Sequence, residues 1–174
     1  MTAPEWRVRV AREEDAALLA DFRCATGRTP WQREVEAFIT TALLPWAFDP
    51  RAASADPRVL LMLVEEELVG VTGHEHATLV APDGRQVDAT KLEVVALSDM
   101  WQGKRFSSDV RASDVLMSAA ITDIIGRRPP RHTHVYAVVH EENERSLGLL
   151  ARHGFSDELS RPHPRYRRLV TPAC

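Results

Sequence analysis

Glycine and basic side chains follow a strongly apolar segment in the middle of the chain. The run Leu92–Leu97 has the composition of a buried strand, the polar loop residues Gln102–Lys104 come after it, and a helical pattern with apolar Leu116, Ala120 and Ile124 follows. The first turn of a helix has free backbone N–H groups and a partial positive charge, so a preceding loop with glycine and cations can bind a pyrophosphate. This order predicts an anion site, although many α/β proteins contain such a connection without binding phosphate.

Glu93 is a carboxylate within this apolar segment. Desolvation in such a strand would raise its pKa, which is the direction that a general base working near neutral pH requires. Regular alternation would place Glu93 on the same face of the sheet as Val95 and Leu97. Pairing with Lys91 or with an arginine would instead give Glu93 a structural role, and the sequence leaves both roles open.

Two histidines lie two residues apart at His74-Glu75-His76. Both imidazoles would project from one face of a strand, and this spacing can serve a metal ion. The sequence shows no third ligand for them. Surface or hydrogen-bonded histidines are therefore the favoured interpretation, and no metal site is predicted.

A second strand and helix are indicated further along the chain. Val135–Val139 is apolar, Asn143 is typical of a helix N-cap, and Gly154 ends the helix before Phe155. The chain therefore repeats the order of strand, polar connection and helix.

These two segments resemble the GNAT superfamily of N-acetyltransferases. Its members have a strand, a phosphate loop of the form Gln/Arg-x-x-Gly-x-Gly/Ala, a helix, a further strand, and a helix that begins Asn-x-x-Ala/Ser and ends in Gly-Phe. Asn143 and Ser146 match the start of the later motif, and Gly154 with Phe155 matches its end. The resemblance extends in element order over nearly the whole chain.

The phosphate loop matches the family pattern only at its start. Gln102–Lys104 fits, whereas Arg105 and Ser107 stand where the family has small residues, and several residues are added before the helix. The pyrophosphate contacts therefore have two possible registers, one over 102–107 and one shifted to Val110–Ala112.

The resemblance implies acetyl-CoA as cosubstrate and direct attack by a primary amine of a small molecule or a protein. It gives Glu93 the role of general base, directly or through water. It implies contacts with the cofactor by the backbone N–H of Leu97 and by Asn143. Further cofactor contacts are expected from Gln102, Gly103, Lys104, Arg105 and Ser107.

Leu150 occupies the place where many members of this family have a proton-donating tyrosine. Tyr136 and Tyr166 are the only tyrosines of the chain, and neither lies in this helix. Either another group or water protonates the leaving thiolate, or the protein binds acyl-CoA without efficient turnover. A non-catalytic acyl-CoA-binding or regulatory domain is therefore the rival interpretation, and an unrelated α/β nucleotide-binding protein is a third.

Composition sets further limits on the function. The 174 residues are enough for one domain over 1–174, with 44% hydrophobic and 27% charged residues. The net charge of −3 gives no reason to expect nucleic acid as a partner. No apolar run is long enough to cross a membrane, and Cys24 and Cys174 alone suggest a reducing, cytoplasmic setting without a membrane partner. Exposed tryptophans would be consistent with a homodimer.

The predicted fold class is α/β (α+β), a single GNAT-like acyl-CoA N-acyltransferase domain with a mixed, mostly antiparallel sheet of six or seven strands and about four helices. Further strands are predicted at Trp6–Val10, Val59–Glu65, Leu68–Leu79 and Gln86–Leu97, with two weak candidates in Asp157–Val170. Helices are predicted at Ala16–Cys24 and Trp31–Trp46, and a loop at Phe48–Pro57.

Overall fold

Seven strands form one mixed sheet in the computed structural model, which describes residues 5–27, 29–157 and 163–173. The strands lie in the order β1-β2-β3-β4-β5-β7-β6, and of these neighbouring pairs only β4 and β5 run parallel. Their bounds are β1 Trp6–Val10, β2 Arg58–Val64, β3 Glu67–Val80, β4 Gln86–Leu97, β5 His134–His140, β6 Ser156–Asp157 and β7 Tyr166–Pro172. The predicted α+β fold with a mostly antiparallel sheet is confirmed.

Five α-helices accompany the sheet in the described part of the chain. Short 3-10 turns precede α1, follow α3 and follow β4. The helices are α1 Ala16–Ala20, α2 Pro30–Ala37, α3 Leu43–Ala47, α4 Ala112–Arg127 and α5 Glu144–Arg152, and the 3-10 turns are Glu13–Asp15, Pro50–Ala55 and Asp99–Trp101. Part of the predicted loop at Phe48–Pro57 is therefore helical, whereas α1 is shorter than predicted.

Helix α1 ends at Ala20 because the chain beyond it finds hydrogen-bond partners elsewhere. The backbone N–H groups of Cys24 and Ala25 donate to the carboxylate of Glu36 on α2, at 2.8 and 2.9 Å. This competition for backbone donors is not visible in the apolar pattern, and the predicted helix of Ala16–Cys24 was therefore too long.

A π-helical turn, Phe38–Ala42, joins α2 to α3. Pro45 lies in the first turn of α3, where it lacks a backbone N–H and its ring would clash with the carbonyl of a regular preceding turn. A wider turn avoids that clash, and such turns occur frequently at functional sites. Pro45 therefore does not end the helical stretch but is associated with a widened turn ahead of it.

The two faces of the sheet have separate cores. Helices α1 to α3 cover one face, where Leu43 packs with Leu61, Val71 and Val94. On the other face, α4 contributes buried residues at the predicted positions Leu116, Ala120 and Ile124. Of the two strand candidates in Asp157–Val170, one corresponds to β7, which begins at Tyr166, whereas residues 158–162 lie outside the described part of the chain.

Asp15 lies directly before α1 and is held there by hydrogen bonds. It is buried, accepts two hydrogen bonds from the Arg9 guanidinium at 2.6 and 2.7 Å, and accepts another from the Arg12 backbone N–H at 2.7 Å. The hydrogen bonds from Arg9 outweigh burial and hold the pKa of Asp15 below its usual value. Ionised Asp15 therefore stabilises the fold above its unfolded-state pKa, and this contribution is lost as the pH falls through the lower folded-state pKa.

We expect Asp15→Asn to lower the free energy of unfolding by about 1–3 kcal/mol at pH 7 and by less at pH 3. Urea denaturation at the two pH values measures this difference. The matched control is Glu14→Gln, which removes a carboxylate from an exposed pair with Arg12 and should change stability little. Equal losses for Asp15→Asn at both pH values would contradict the prediction.

Candidate active site

Strands β4 and β5 separate before they end. Their described parallel pairing joins Ala89–Leu92 to His134–Ala137, yet β4 continues to Leu97 and β5 to His140. The last part of β4 therefore has a sheet neighbour on one side only, β3. A cleft of about 820 Å³ and an adjoining cavity of about 290 Å³ open at this divergence.

The free edge of β4 presents backbone groups to the cleft. The N–H of Ser98 donates to the carbonyl of Val69 on β3 at 2.9 Å. Successive residues of a strand direct their N–H groups to opposite edges, so the N–H of Leu97 and that of Val95 face the cleft. Both residues line it. A ligand with extended amide groups could pair with this edge as an added strand does.

Strand β4 contains a bulge at Glu93. In the described register Val94 lies opposite Gly73 and Leu92 lies opposite His74, so Glu93 is one residue more than β3 matches. A bulge bends its strand and redirects side chains, and bulges are common next to active sites. The bulge lies where β4 leaves β5.

This bulge alters which residues share a face. Val94 packs with Leu43 on the face covered by α1 to α3, whereas Val95 and Leu97 pack towards α4. The extra residue places Glu93 on the same side as Val94. The expectation that Glu93 shares a face with Val95 and Leu97 is therefore wrong, because regular alternation stops at the bulge.

Glu93 belongs to a group of charged side chains beside the smaller cavity. Its carboxylate lies 2.6 Å from Nζ of Lys91 and is hydrogen-bonded to Glu75 of β3. Glu75 also accepts the indole N–H of Trp46 at 3.2 Å. Burial, followed by the charge and hydrogen bond of Glu93, raises the pKa of Glu75. Glu75 can therefore hold a proton at a higher pH than an isolated glutamate does.

Of the two roles that the sequence left open for Glu93, the structure shows the pairing, and the role as a base stays a prediction. The residue pairs with Lys91, and it also lines the smaller cavity. Glu75 was missed as a partner of Glu93, since the sequence analysis considered it only between two histidines. The register of β3 against β4, which places Glu75 opposite Lys91, is what brings the two carboxylates together.

The loop after β4 folds back on itself. Residues 105–111 form a small hairpin in which Arg105 pairs with Arg111, and the N–H of Ala112 donates to the carbonyl of Lys104 at 3.1 Å. The start of α4 therefore follows Lys104 in space, and the added residues project as an excursion. Parts of both expected registers line the larger cleft.

The tip of this excursion points away from the cleft lining. Phe106 stacks on Trp6 of β1 with ring centroids 5.5 Å apart, and it also contacts Trp101 at 5.5 Å. Ser107, which was expected to contact a cofactor, is not brought together with the other predicted residues. The contacts of Phe106 with Trp6 and Trp101 hold the excursion in place, which explains the position of Ser107.

Cationic side chains line the larger cleft. They come from the loop, from the start of α4 and from α5, and the carboxylates of Glu142 and Glu144 lie among them. The cations are Lys104, Arg105, Arg111, Arg145 and Arg152. Their excess over the carboxylates favours an anionic ligand such as a phosphate group. The sequence analysis missed Arg145 and Arg152, although Arg145 lies inside the motif that begins at Asn143.

The side chain of Gln102 connects three segments that line the cleft. Its amide donates to the carbonyls of Cys24 and Leu97 at 2.7 and 3.3 Å, and Arg145 donates to its side-chain oxygen. These bonds occupy the side chain, so a ligand contact by Gln102 would use its backbone. Gly103 beside it has φ +79°, a left-handed conformation that favours glycine.

The two loop cations after Gly103 have partners of their own. Lys104 Nζ lies 5.0 Å from the centroid of the Trp101 ring. Arg105 donates to the carbonyl of Ser108 at 2.7 Å, within the excursion. Both side chains still line the cleft, so a bound anion would compete with these partners for their charges.

Asn143 has the capping role expected from the sequence. Its side-chain oxygen accepts the backbone N–H of Ser146 at 3.2 Å and so satisfies a donor in the first turn of α5. Asn143 and Ser146 line both the cleft and the cavity. A cofactor contact by Asn143 would be additional to the cap.

The smaller cavity has an aromatic wall that sequence reasoning did not predict. His140 stacks on Trp31 with ring centroids 5.4 Å apart, and Tyr166 meets His140 edge-on at 5.2 Å. The N–H of Glu142 donates to Nδ1 of His140 at 3.3 Å. Leu150 is buried, at 4% exposure, and Tyr166 reaches the cavity from β7 instead of from α5.

The histidines considered as metal ligands have other partners. His74 Nε2 lies 3.0 Å from a carboxylate oxygen of Asp123 on α4, and His76 meets His132 edge-on at 4.6 Å. In the ranges 5–27, 29–157 and 163–173, no group of three or more His, Cys, Asp or Glu is placed to bind a metal ion. No helix within the same ranges has the length and hydrophobicity of a membrane span.

Comparison with known proteins gives matches only at the level of structure. No protein-family model and no curated protein matches the sequence. The PaiA N-acetyltransferase of Thermoplasma acidophilum in complex with coenzyme A matches with TM-score 0.69 and 12% identity, covering 97% of this chain and 99% of that one. A protein assigned to the GNAT acetyltransferase family from Desulfovibrio desulfuricans matches with TM-score 0.66 and 15% identity, covering 98% and 100%.

A third match is a variant of the toxin AtaT bound to the C-terminus of the antitoxin AtaR and to acetyl-CoA. It has TM-score 0.65 and 12% identity, and the match covers 97% of this chain and 93% of the toxin. Sequence identities this low support a comparison of folds and not of activities. Over nearly its whole length, this chain has the fold of the GNAT acetyltransferases.

Proposed function

We propose that the protein is an acetyl-CoA-dependent N-acetyltransferase that acetylates a primary amine within a ternary complex. The observation that carries this proposal is the free edge of β4, which connects a cationic cleft to a cavity lined by Glu93. The two openings adjoin, because they share the lining residues Trp31, Val35, Val95, Asn143, Ser146 and Leu149. A long ligand with phosphates at one end and a reactive group at the other suits this arrangement.

The chemistry of acetyl-CoA fits the residues along this path. Its phosphates would meet the cations of the cleft and the N–H groups at the start of α4. The amides of its pantetheine arm would pair with the backbone of Val95 and Leu97. Its thioester would then lie where the cleft meets the smaller cavity. Complexes of the structurally similar PaiA and AtaT proteins with coenzyme A and acetyl-CoA support this choice of cosubstrate.

In the proposed reaction the amine nitrogen attacks the thioester carbonyl carbon, so that an N–C bond forms and the C–S bond breaks. Glu93 accepts a proton from the amine, directly or through water. Leu150 cannot supply the proton that the leaving thiolate requires. Water or the hydroxyl of Tyr166, which lines the cavity, supplies it instead.

A second candidate function is an acyl-CoA-binding domain without catalytic activity. Two observations favour it: Leu150 replaces the usual tyrosine, and Glu93 is paired with Lys91 at 2.6 Å. This candidate predicts that acetyl-CoA binds while no amine causes release of free CoA. A thiol assay over a panel of primary amines distinguishes the two functions.

The role of Glu93 as the base gives a kinetic prediction. We expect Glu93→Gln to lower kcat by about 100-fold or more and to flatten the dependence of kcat on pH, because an amide cannot accept the proton of the amine. The control Glu67→Gln removes an exposed carboxylate at the start of β3, outside both openings. An unchanged rate and pH profile in Glu93→Gln would exclude Glu93 as the base.

The role of Arg145 gives a binding prediction. We expect Arg145→Gln to weaken binding of CoA by about tenfold at low salt and to reduce the dependence of affinity on salt. Isothermal titration at two salt concentrations measures both effects. Arg33→Gln is the control, because Arg33 is an exposed arginine on α2 that lines neither opening. If Arg145→Gln and Arg33→Gln bind CoA with equal affinity, Arg145 does not bind the phosphates.

A further inference from the structure

The cleft and the smaller cavity differ in charge. Lysine and arginine side chains line the cleft, whereas the ionisable residues in the described lining of the cavity are Glu34, Glu93, His140 and Tyr166. Glu34 belongs to α2 and is exposed at the opening, while the Glu93 side chain is only 19% exposed. A ligand in the cavity therefore meets carboxylates from two different elements.

Negative charge is concentrated behind this lining. Glu75 is hydrogen-bonded to Glu93, and burial together with that neighbouring carboxylate raises the pKa of Glu75. Lys91 offsets one of these charges through its contact with Glu93. With Glu34, three carboxylates stand against this one ammonium group. The hydrogen bond between Glu75 and Glu93 requires a proton on one of these two carboxylates, so one negative charge remains. A second cation in the cavity would balance it.

The remaining walls of the cavity are aromatic and aliphatic. Trp31 and Phe38 line it from the helical side, and Phe38 begins the π-helical turn. His140 and Tyr166 line it from β5 and β7. Aromatic faces attract cations and also cover alkyl groups. The volume of about 290 Å³ is near the lower limit for small-molecule sites.

The following inference rests on the proposed function. We propose that the acceptor is a small alkyl amine, that it enters as an ammonium ion and that Glu34 selects it. Glu34 attracts the cation at the opening, and the aromatic walls cover its alkyl part. Glu93 takes one proton from the ammonium group before the nitrogen attacks the thioester. After the attack the nitrogen loses a second proton, which passes to the leaving thiolate through water. An acceptor that carries its own carboxylate is repelled by Glu34 and Glu93. A lysine side chain of a protein has the same ammonium chemistry, so a lysine-containing peptide is included in the test to distinguish the two sources.

The test uses the full chain saturated with CoA, so that binding is measured without turnover. Butylamine, 1,4-diaminobutane, 4-aminobutyrate and a lysine-containing peptide are titrated by calorimetry. We expect the first two to bind about tenfold more tightly than the zwitterion or the peptide. We expect Glu34→Gln to weaken butylamine binding about tenfold. The control Glu13→Gln, an exposed carboxylate lining neither opening, should leave that binding unchanged.

The outcomes separate this inference from the proposed function. Preferential binding of the two small amines without CoA release from acetyl-CoA would support the cation site and contradict the transferase. Turnover that favours 4-aminobutyrate or the peptide would support the transferase and overturn the inference. Butylamine affinity equal in Glu34→Gln and Glu13→Gln, or no binding of either small amine to the CoA-loaded protein, would also overturn it.

Discussion

The end of pairing between β4 and β5 is the constraint on which the site depends. A strand inside a sheet satisfies its backbone groups on both sides, but beyond Leu92 the described sheet offers β4 a partner only on the β3 side. The N–H groups of Val95 and Leu97 must then bond to water or to a ligand. The bulge at Glu93 bends β4 at the same point and directs a carboxylate into the space that opens.

The rest of the molecule arranges charge around this opening. The loop after β4, the start of α4 and both ends of α5 bring cations to one end of the free edge. Glu75, Glu93 and Glu34 lie towards the other end, with aromatic rings from α2, β5 and β7. The side chain of Gln102 donates to the carbonyls of Cys24 and Leu97 and accepts from Arg145, so it connects the end of β4 with α5 and with the segment after α1.

The sequence predicted the elements of this fold well, because apolar periodicity and turn residues are local signals. The strand to Leu97, the helix with Leu116 and Ile124 inside, and the cap at Asn143 were found where the sequence placed them. The residues 105–111 could not be assigned a register, since their hairpin depends on a distant contact between Phe106 and Trp6.

The composition of the site was only partly predictable. Glu93 was found from its place in an apolar run, but its face was wrong because one extra residue in β4 alters the alternation of side chains. Glu75, Arg145 and the stacked Trp31 and His140 reach the site through contacts between distant elements. One sequence carries no local signal for such contacts.

A calorimetric titration with acetyl-CoA, CoA and ADP on one preparation tests most directly whether the free edge of β4 binds the cofactor. If the free edge of β4 binds the pantetheine arm, acetyl-CoA and CoA will bind saturably and ADP will bind at least about tenfold more weakly. Equal affinity for ADP would show that the cleft binds a nucleotide and makes no use of that edge. If none of the three compounds binds at concentrations of about 1 mM, the chain has kept the fold without the cofactor site.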